Sequence, residues 1–222
     1  VITVSPALLG ELAGRRVLDL GAGGGRHAQW LSEQGASVVA GDIAVEPTVS
    51  TDVSWVRLNG AALPFRDGSF DVVLAAEVLE HVVDPAAVLS EAVRVLRADG
   101  LFVASVPSWW PEVLCWALSL EYHAVPGGHV RIWRRRALRR LLRRAGLVVV
   151  AQHRHHALHS PYWWLRCVLG IERSERDPLV RWLGWRLIAA AVGTAPRLAR
   201  LEALLNPVLG KSLVVYARRV VA

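Results

Sequence analysis

The chain has 222 residues, 26 basic and 19 acidic side chains and a formal net charge of +7, a length that fits one α/β domain carrying an insertion. Its apolar runs are strand-length or broken by arginine, so neither a membrane span nor a signal peptide before the first strand is expected. Cys115 and Cys167 lie in Trp-rich apolar surroundings without C-x-x-C spacing, which argues for buried thiols in a reducing compartment and against a disulfide framework.

The first informative stretch is Arg16-Val-Leu-Asp-Leu-Gly-Ala-Gly-Gly-Gly-Arg26, with Asp42 closing the next apolar run. It reads as a buried strand at 16–20, a glycine turn opening a helix to about 34, and a second strand at 37–41. Glycines 21, 23 and 25 let the backbone pass close to a ligand, because no Cβ stands in the way. A carboxylate 21 residues after Gly21 is suited to accept hydrogen bonds from both hydroxyls of a ribose. The dinucleotide pattern G-x-G-x-x-G fits poorly, since Arg26 stands where its third glycine permits close helix–strand packing. No Gly-Lys-Ser/Thr follows either. The turn therefore points to an adenosine-containing cofactor without a pyrophosphate.

Further strands are predicted near 54–58, at 70–75 and at 101–106, with a helix over about 85–97 between the last two. Between them lie Arg57-Leu-Asn-Gly-Ala-Ala-Leu-Pro-Phe65 and the turn following Phe70-Asp-Val-Val-Leu-Ala-Ala-Glu77. A helix over about 134–145, a strand at 147–152 and a strand at 212–219 complete the pattern.

With these motifs in order, the chain resembles the class I S-adenosylmethionine-dependent methyltransferases, similar to the branch of quinone-biosynthesis and small-molecule enzymes. The match covers about residues 15–107, with a weaker one at 129–152 and 212–219. The resemblance implies an α/β doubly wound, Rossmann-like sheet of seven strands in the order 3-2-1-4-5-7-6, the seventh antiparallel, in a single methyltransferase domain over 1–222. It implies S-adenosyl-L-methionine as cofactor. Asp19 and the Gly21-Ala22-Gly23 turn would hold its methionine part, and Asp42 its ribose hydroxyls. Ile43 would pack on the adenine, with Asn59 and Gly60 meeting the ring's polar edge. Glu77 would lie near the methionine end. Asn59 departs from the family's frequent Asp. Asp19 as a cap of the glycine turn, Asp42 as a plain strand end, and Glu80 and His81 as local partners on a helix start are the competing structural readings.

Charge and tryptophan divide the chain in two. Residues 1–107 carry 7 basic and 13 acidic side chains, whereas 108–222 carry 19 basic and 6 acidic, together with eight of the ten tryptophans. The basic residues are 25 Arg to one Lys, a sign of compositional bias in the source genome. Residues 108–133 and 153–211 are expected to form a helical cap, most of it inserted between the sixth and seventh strands. It has helices around Tyr162–Gly170, Leu179–Val192 and Pro196–Leu205. Its tryptophans either line an apolar pocket or lipid-facing groove, or fill the cap's own core. The run Arg134–Arg144 is a basic amphipathic helix with Leu138, Leu141 and Leu142 on one face. It is either a core helix with a solvated basic face or a surface for an anionic membrane. No module for nucleic acid accompanies it.

The segment His153-Arg-His-His-Ala-Leu-His159 invites a metal reading, with His155 and His159 on one helix face. No Cys or carboxylate lies within it, and a polar lining of the cap is the expectation. If the methyl acceptor is a hydroxyl or amine, a general base is needed. His123 and His129 in the loop after the fifth strand are the candidates, with His155 and His156 after the sixth. The expected activity is methylation of an apolar or amphiphilic small molecule, such as a lipid, polyketide or glycoside intermediate, in the cytoplasm or at a membrane surface. Protein or RNA methylation and a catalytically inactive partner subunit are the alternatives. The chain contains no methionine, so the expectation is either a trimmed initiator or a fragment. Because the similar family usually begins with one or two more helices, the fragment reading would leave part of the substrate lid outside this sequence.

Overall fold

The computed structural model describes residues 2–45, 53–124, 127–191 and 193–220. In chain order it comprises α1 (Pro6–Leu9), β1 (Arg16–Leu20), α2 (Arg26–Glu33), β2 (Ser37–Asp42), β3 (Ser54–Arg57), β4 (Phe70–Ala76), α3 (Pro85–Val95) and β5 (Leu96–Pro107). Then follow α4 (Trp109–Leu118), α5 (Leu120–His123), α6 (Arg135–Arg144), β6 (Leu147–His155), α7 (His159–Leu169), α8 (Ile171–Ser174), α9 (Pro178–Ala191), α10 (Pro196–Leu209) and β7 (Ser212–Arg219).

The strands form one sheet in the order β3-β2-β1-β4-β5-β7-β6, with β7 antiparallel, as the resemblance implies. β1 pairs in parallel with β2 and β4, β2 with β3, and β4 with β5. Parallel neighbours need crossover connections, and helices on the faces bury the central strands on both sides. That is why β1 and β4 are mainly apolar around Asp19 and Asp71: Val17, Leu18, Val72 and Val73 are wholly buried. A parallel arrangement also brings the carboxyl ends of β1, β2 and β4 to one edge, where the turns after Leu20, Asp42 and Ala76 leave the sheet.

Contacts divide the chain into a sheet unit (2–106, 135–152 and the residues from 214) and a helical unit (107–134 and 153–213). In the sheet unit, Asp84 caps α3 by accepting from the Ala86 and Ala87 N–H groups at 2.9 and 3.1 Å, with Pro85 at the first helical position. Arg94 of α3 clamps the segment after β3. Its guanidinium donates to the carbonyls of Leu63 and Phe65 and to the carboxylates of Asp67 and Glu91. α6 buries Leu138 and Leu142 completely while its arginines stay in solvent, the arrangement of a core helix with a solvated basic face.

Several boundaries differ from expectation. α3 stops at Val95, because Leu96 is already extended (φ −77°, ψ 137°) and pairs with Phe70 ahead of an irregularity in the β4–β5 ladder. α10 continues past Leu205 to Leu209 despite Pro207 inside it. Residues 77–81 form a turn, so Glu80 and His81 do not start a helix. In the helical unit both cysteines are buried free thiols, and burial pushes the Cys115 thiol up to about 12. Its tryptophans are not the core: Trp109, Trp182 and Trp185 are exposed, and none of the others is fully buried.

Candidate functional site

A cleft of about 300 Å³ lies at the carboxyl ends of the strands in the sheet unit. It is lined by Gly21 after β1, Asp42 and Ile43 after β2, Asn59 and Gly60 after β3, and Glu77 after β4. Six residues singled out in the sequence thus meet in one place. Asp19, Ala22 and Gly23 are not among its lining residues. The sequence did not single out as ligand-facing the apolar walls Leu20, Leu58, Val78, Val82 and Val88, nor His81.

The glycine turn has a definite stereochemical reason. Gly21 has φ +75°, and a Cβ there would overlap the Val78 side chain, so only glycine allows this path without strain. Gly21 and Ala22 both donate their N–H groups to the Gly41 carbonyl, at 2.7 and 3.1 Å. Asp42, the last residue of β2, accepts from the Gly23 N–H through Oδ2 at 2.8 Å and from the Ala44 N–H through Oδ1 at 3.0 Å. An ionised carboxylate has about four acceptor sites, so each oxygen keeps capacity for a further donor, such as one hydroxyl of a vicinal diol.

Asp19, one residue back on β1, is buried at 1 % exposure. Its Oδ2 has no hydrogen-bond partner among the described residues. Desolvation raises its pKa to about 7, against the lowering effects of the Ala28 backbone N–H and Arg26. Such a carboxyl is poised to ionise when a cation approaches.

Asn59 Oδ1 accepts from the Ala61 N–H at 3.0 Å, fixing the turn that carries Gly60 into the cleft. Ile43 is 72 % exposed, an apolar side chain standing open at the cleft. Glu77 has φ +56°, an uncommon conformation for a residue with a Cβ. Its backbone N–H donates to the Ser105 carbonyl and its Oε1 accepts from Ser105 Oγ at 2.8 Å.

The helical unit holds a second polar assembly. Glu112 of α4 is fully buried. Its Oε1 meets His129 Nδ1 at 2.7 Å and accepts from Trp116 Nε1 at 3.3 Å. Its Oε2 accepts from Tyr122 Oη at 3.3 Å and pairs with the Lys211 ammonium. Desolvation would raise the Glu112 pKa, but His129 and Lys211 outweigh it and hold the carboxyl at about 2. With Nδ1 donating to a carboxylate, the neutral His129 ring carries its lone pair on Nε2. His123 is placed differently from expectation: it ends α5 and stacks on Trp116, ring centroids 4.8 Å apart. Glu112 escaped the sequence reading because its partners lie 10, 17 and 99 residues away.

A profile of the methyltransferase domain family matches residues 4–152. An uncharacterized methyltransferase of Mycobacterium sp. (strain JLS) is 40 % identical over 101 residues, covering 43 % of this chain and 40 % of the relative. The chain thus spans well under half the length of that relative. The ubiquinone biosynthesis O-methyltransferase of Neisseria meningitidis serogroup A is 31 % identical over 173 residues, 68 % of this chain and 72 % of the relative. Among solved structures, Burkholderia thailandensis 1,6-didemethyltoxoflavin-N1-methyltransferase was determined with its substrate and S-adenosylhomocysteine bound. It superposes with a TM-score of 0.56 at 21 % identity, covering 94 % of this chain and 72 % of that one.

The Glu112 assembly has a pH signature. A carboxyl whose folded-state pKa lies near 2, below the ordinary 4.5, contributes stability that is complete above about 4.5. That stability is lost as pH falls from there toward 2. Thermal melts from pH 7 to 3 should show a drop in Tm that Glu112→Gln flattens. Parallel curves for the two proteins would contradict this assignment.

Proposed function

Because the chain belongs to the class I S-adenosylmethionine-dependent methyltransferases, we propose that it methylates an apolar or amphiphilic small molecule, such as a lipid, polyketide or glycoside intermediate. The observation that carries the cofactor part is Asp42, an ionisable pair of acceptors held by the Gly23 and Ala44 N–H groups beside a turn without a phosphate cradle. The residues present fit the cofactor: the orphaned Oδ2 of Asp19 suits a cationic group, and the bare backbone at Gly21 suits close approach. S-adenosylmethionine, when bound, supplies an electrophilic methyl group on a sulfonium centre.

In this reading Asp42 orients the ribose through its hydroxyls, and Ile43 and Val88 cover the adenine. Asn59 Oδ1 and the Gly60 N–H meet the ring's polar edge, while Asp19, the Gly21-Ala22-Gly23 backbone and Glu77 hold the methionine end. Orientation alone supplies much of the rate of such a displacement. For a hydroxyl or amine acceptor, His129 takes the proton at Nε2, and Glu112, bonded at Nδ1, is the positioning residue. His123, stacked on Trp116, is the weaker candidate. The apolar character of the acceptor is supported by a cavity of about 440 Å³ inside the helical unit, lined by Leu158, Pro161, Tyr162, Leu165, Trp182 and Leu187 among others.

Calorimetry with S-adenosylmethionine and S-adenosylhomocysteine, beside NAD and ATP, tests the cofactor. Selective binding of the first two is expected. Asp42→Ala should weaken it by about 10–100-fold, the loss of hydrogen bonds to a charged group. Because Asp19 ionises near pH 7 when alone, affinity should rise from pH 6 to 8 with proton release, and Asp19→Asn should abolish the rise. Equal affinity for NAD, or an Asp42→Ala protein that binds unchanged, would sink the reading. With an acceptor in hand, His129→Ala should lose turnover while keeping cofactor affinity; an unaltered kcat removes His129 from the mechanism.

A second reading concerns where the acceptor is met. No helix of the described residues is long and apolar enough to cross a membrane. α9 nevertheless exposes Leu179, Trp182, Trp185 and Ile188, and α10 exposes Leu201, Leu204 and Val208. Between 178 and 210 the charged residues are Arg181, Arg186, Arg197 and Arg200, all exposed, and Glu202, which is buried. Exposed tryptophan and aliphatic groups interleaved with unopposed arginine match the interface of an anionic bilayer. Flotation should show binding to phosphatidylglycerol vesicles that weakens as salt rises and is reduced in Trp182→Ser/Trp185→Ser. Protein that stays in the supernatant at low salt rules the contact out.

A further inference from the structure

The turn between β6 and α7, together with α10, gathers three ligand-bearing side chains for which the proposed methyl transfer has no use. His156 lies in the turn, His159 opens α7 and Glu202 sits mid-way along α10. One ligand atom from each lies within 4.8 Å of the others. The expected helical pairing of His155 with His159 does not form, because β6 runs on to His155. The chain's own carboxylate arrives instead from 43 residues beyond His159.

Glu202 is a carboxylate at 5 % exposure. Its hydrogen-bond contact among the described residues is His159 Nδ1 at 3.4 Å. That is long beside the roughly 2.7–2.9 Å of a charge-assisted bond, and a buried carboxylate is costly unless compensated. The histidine beside it is already set in the right tautomer. His155 Nδ1 accepts the His156 backbone N–H at 3.0 Å and lies 3.0 Å from His156 Nδ1. A ring nitrogen that accepts an N–H is unprotonated, so a hydrogen bond between the two rings makes His156 Nδ1 the donor and leaves that ring's lone pair on Nε2. This is how an imidazole is oriented for a metal, by a hydrogen bond at its other nitrogen.

The frame around the three groups is rigid. Asn206 Oδ1 of α10 accepts from the Ala157 N–H at 3.0 Å, and Ser160 Oγ donates to the Leu209 carbonyl at 2.6 Å. At Gly210 a Cβ would stand 2.5 Å from Arg154 Cβ and 3.0 Å from the His155 backbone nitrogen, so the end of α10 lies directly on this segment. His156 itself has φ +63°, a conformation that strains a residue with a Cβ and that glycine would relieve.

We propose that His156, His159 and Glu202 bind a divalent transition ion of the zinc class through two imidazole nitrogens and one carboxylate. Nitrogen donors favour zinc, cobalt or nickel over magnesium and calcium, which prefer all-oxygen sets. Three protein ligands leave a coordination position for water or another oxygen ligand. The ion ties α10 to the β6–α7 turn and neutralises the buried carboxylate. This site stands independently of the methyl-transfer reading.

The test uses the full chain, stripped with chelator and titrated with Zn²⁺ by calorimetry and by competition with a chromophoric chelator. One ion per chain is expected, with a rise in Tm of about 5 °C or more at a hundredfold excess over Kd. His159→Gln and Glu202→Gln should each weaken binding by more than the roughly 10–100-fold that losing a supporting hydrogen bond costs, with circular dichroism unchanged. In the wild-type chain, Zn²⁺ should protect His156 and His159 from diethyl pyrocarbonate, mapped by mass spectrometry, which carries the assignment if a variant fails to fold. Absence of a bound ion, binding that survives both substitutions in folded protein, or unprotected histidines would overturn the proposal.

Discussion

The cleft depends on two backbone hydrogen bonds, from the Gly21 and Ala22 N–H groups to the Gly41 carbonyl. They stitch the end of β1 to the end of β2, so the glycine turn and Asp42 are carried by one pair of hydrogen-bonded strands. The Gly23 N–H then reaches Asp42 Oδ2 and closes the arrangement. It is available only because Gly21 adopts φ +75° with no Cβ against Val78. A site fixed by main-chain bonds of a buried sheet needs little side-chain ordering when a ligand arrives, and less ordering means tighter binding from the same contacts. Asp42, Asn59 and Glu77 all follow this plan: each stands at or just beyond a strand end and is held by a backbone N–H or a buried hydroxyl.

Features that follow from local chemistry were legible in the sequence. The central strands are apolar because both faces are buried, and Asp42 breaks such a run at the place where a strand meets solvent. The order of the strands came from resemblance, since periodicity carries no pairing information. Other features depend on what folding brings together. Leu20, Leu58, Val78 and Val88 line the cleft, yet as residues they are indistinguishable from the core around them. The left-handed conformations of Glu77 and His156 leave no trace in residue type, because neither is a glycine or asparagine. His155 and His159 looked like a helical pair, but the strand before them is longer than its apolar part: β6 runs through Gln152, His153 and Arg154.

Arginine outnumbers lysine 25 to one, which reads as genomic bias until the position of the exception is seen. Lys211 is the one lysine, and it stands in the buried assembly: its ammonium pairs with Glu112, lies 3.2 Å from Tyr122 Oη and 3.8 Å from Cys115 Sγ. A compact ammonium has three donors around a point and can serve partners in different directions, whereas a guanidinium is a wide planar fork. The surface arginines of α6 face solvent and are under no such constraint. Bias therefore accounts for residues in water, and geometry accounts for the exception in the interior.

Three of the four carboxylates buried among the described residues, Glu112, Asp19 and Glu202, resolve the same physical problem in different ways. Removing a carboxylate from water is unfavourable unless its charge is met or neutralised. Glu112 is met from within by an ammonium, an imidazole, a phenol and an indole, and it stays ionised far into acid. Asp19 has one backbone donor and an orphaned oxygen, and its ionisation is deferred to about pH 7. Among the described residues, Glu202 meets a histidine in a long contact. Stability alone would replace the last two by apolar side chains of similar size. The ligands proposed above would supply what each lacks: a cationic group of the cofactor for Asp19, a metal ion for Glu202. Where internal partners fall short of a buried charge, the deficit itself indicates the sign of what binds there.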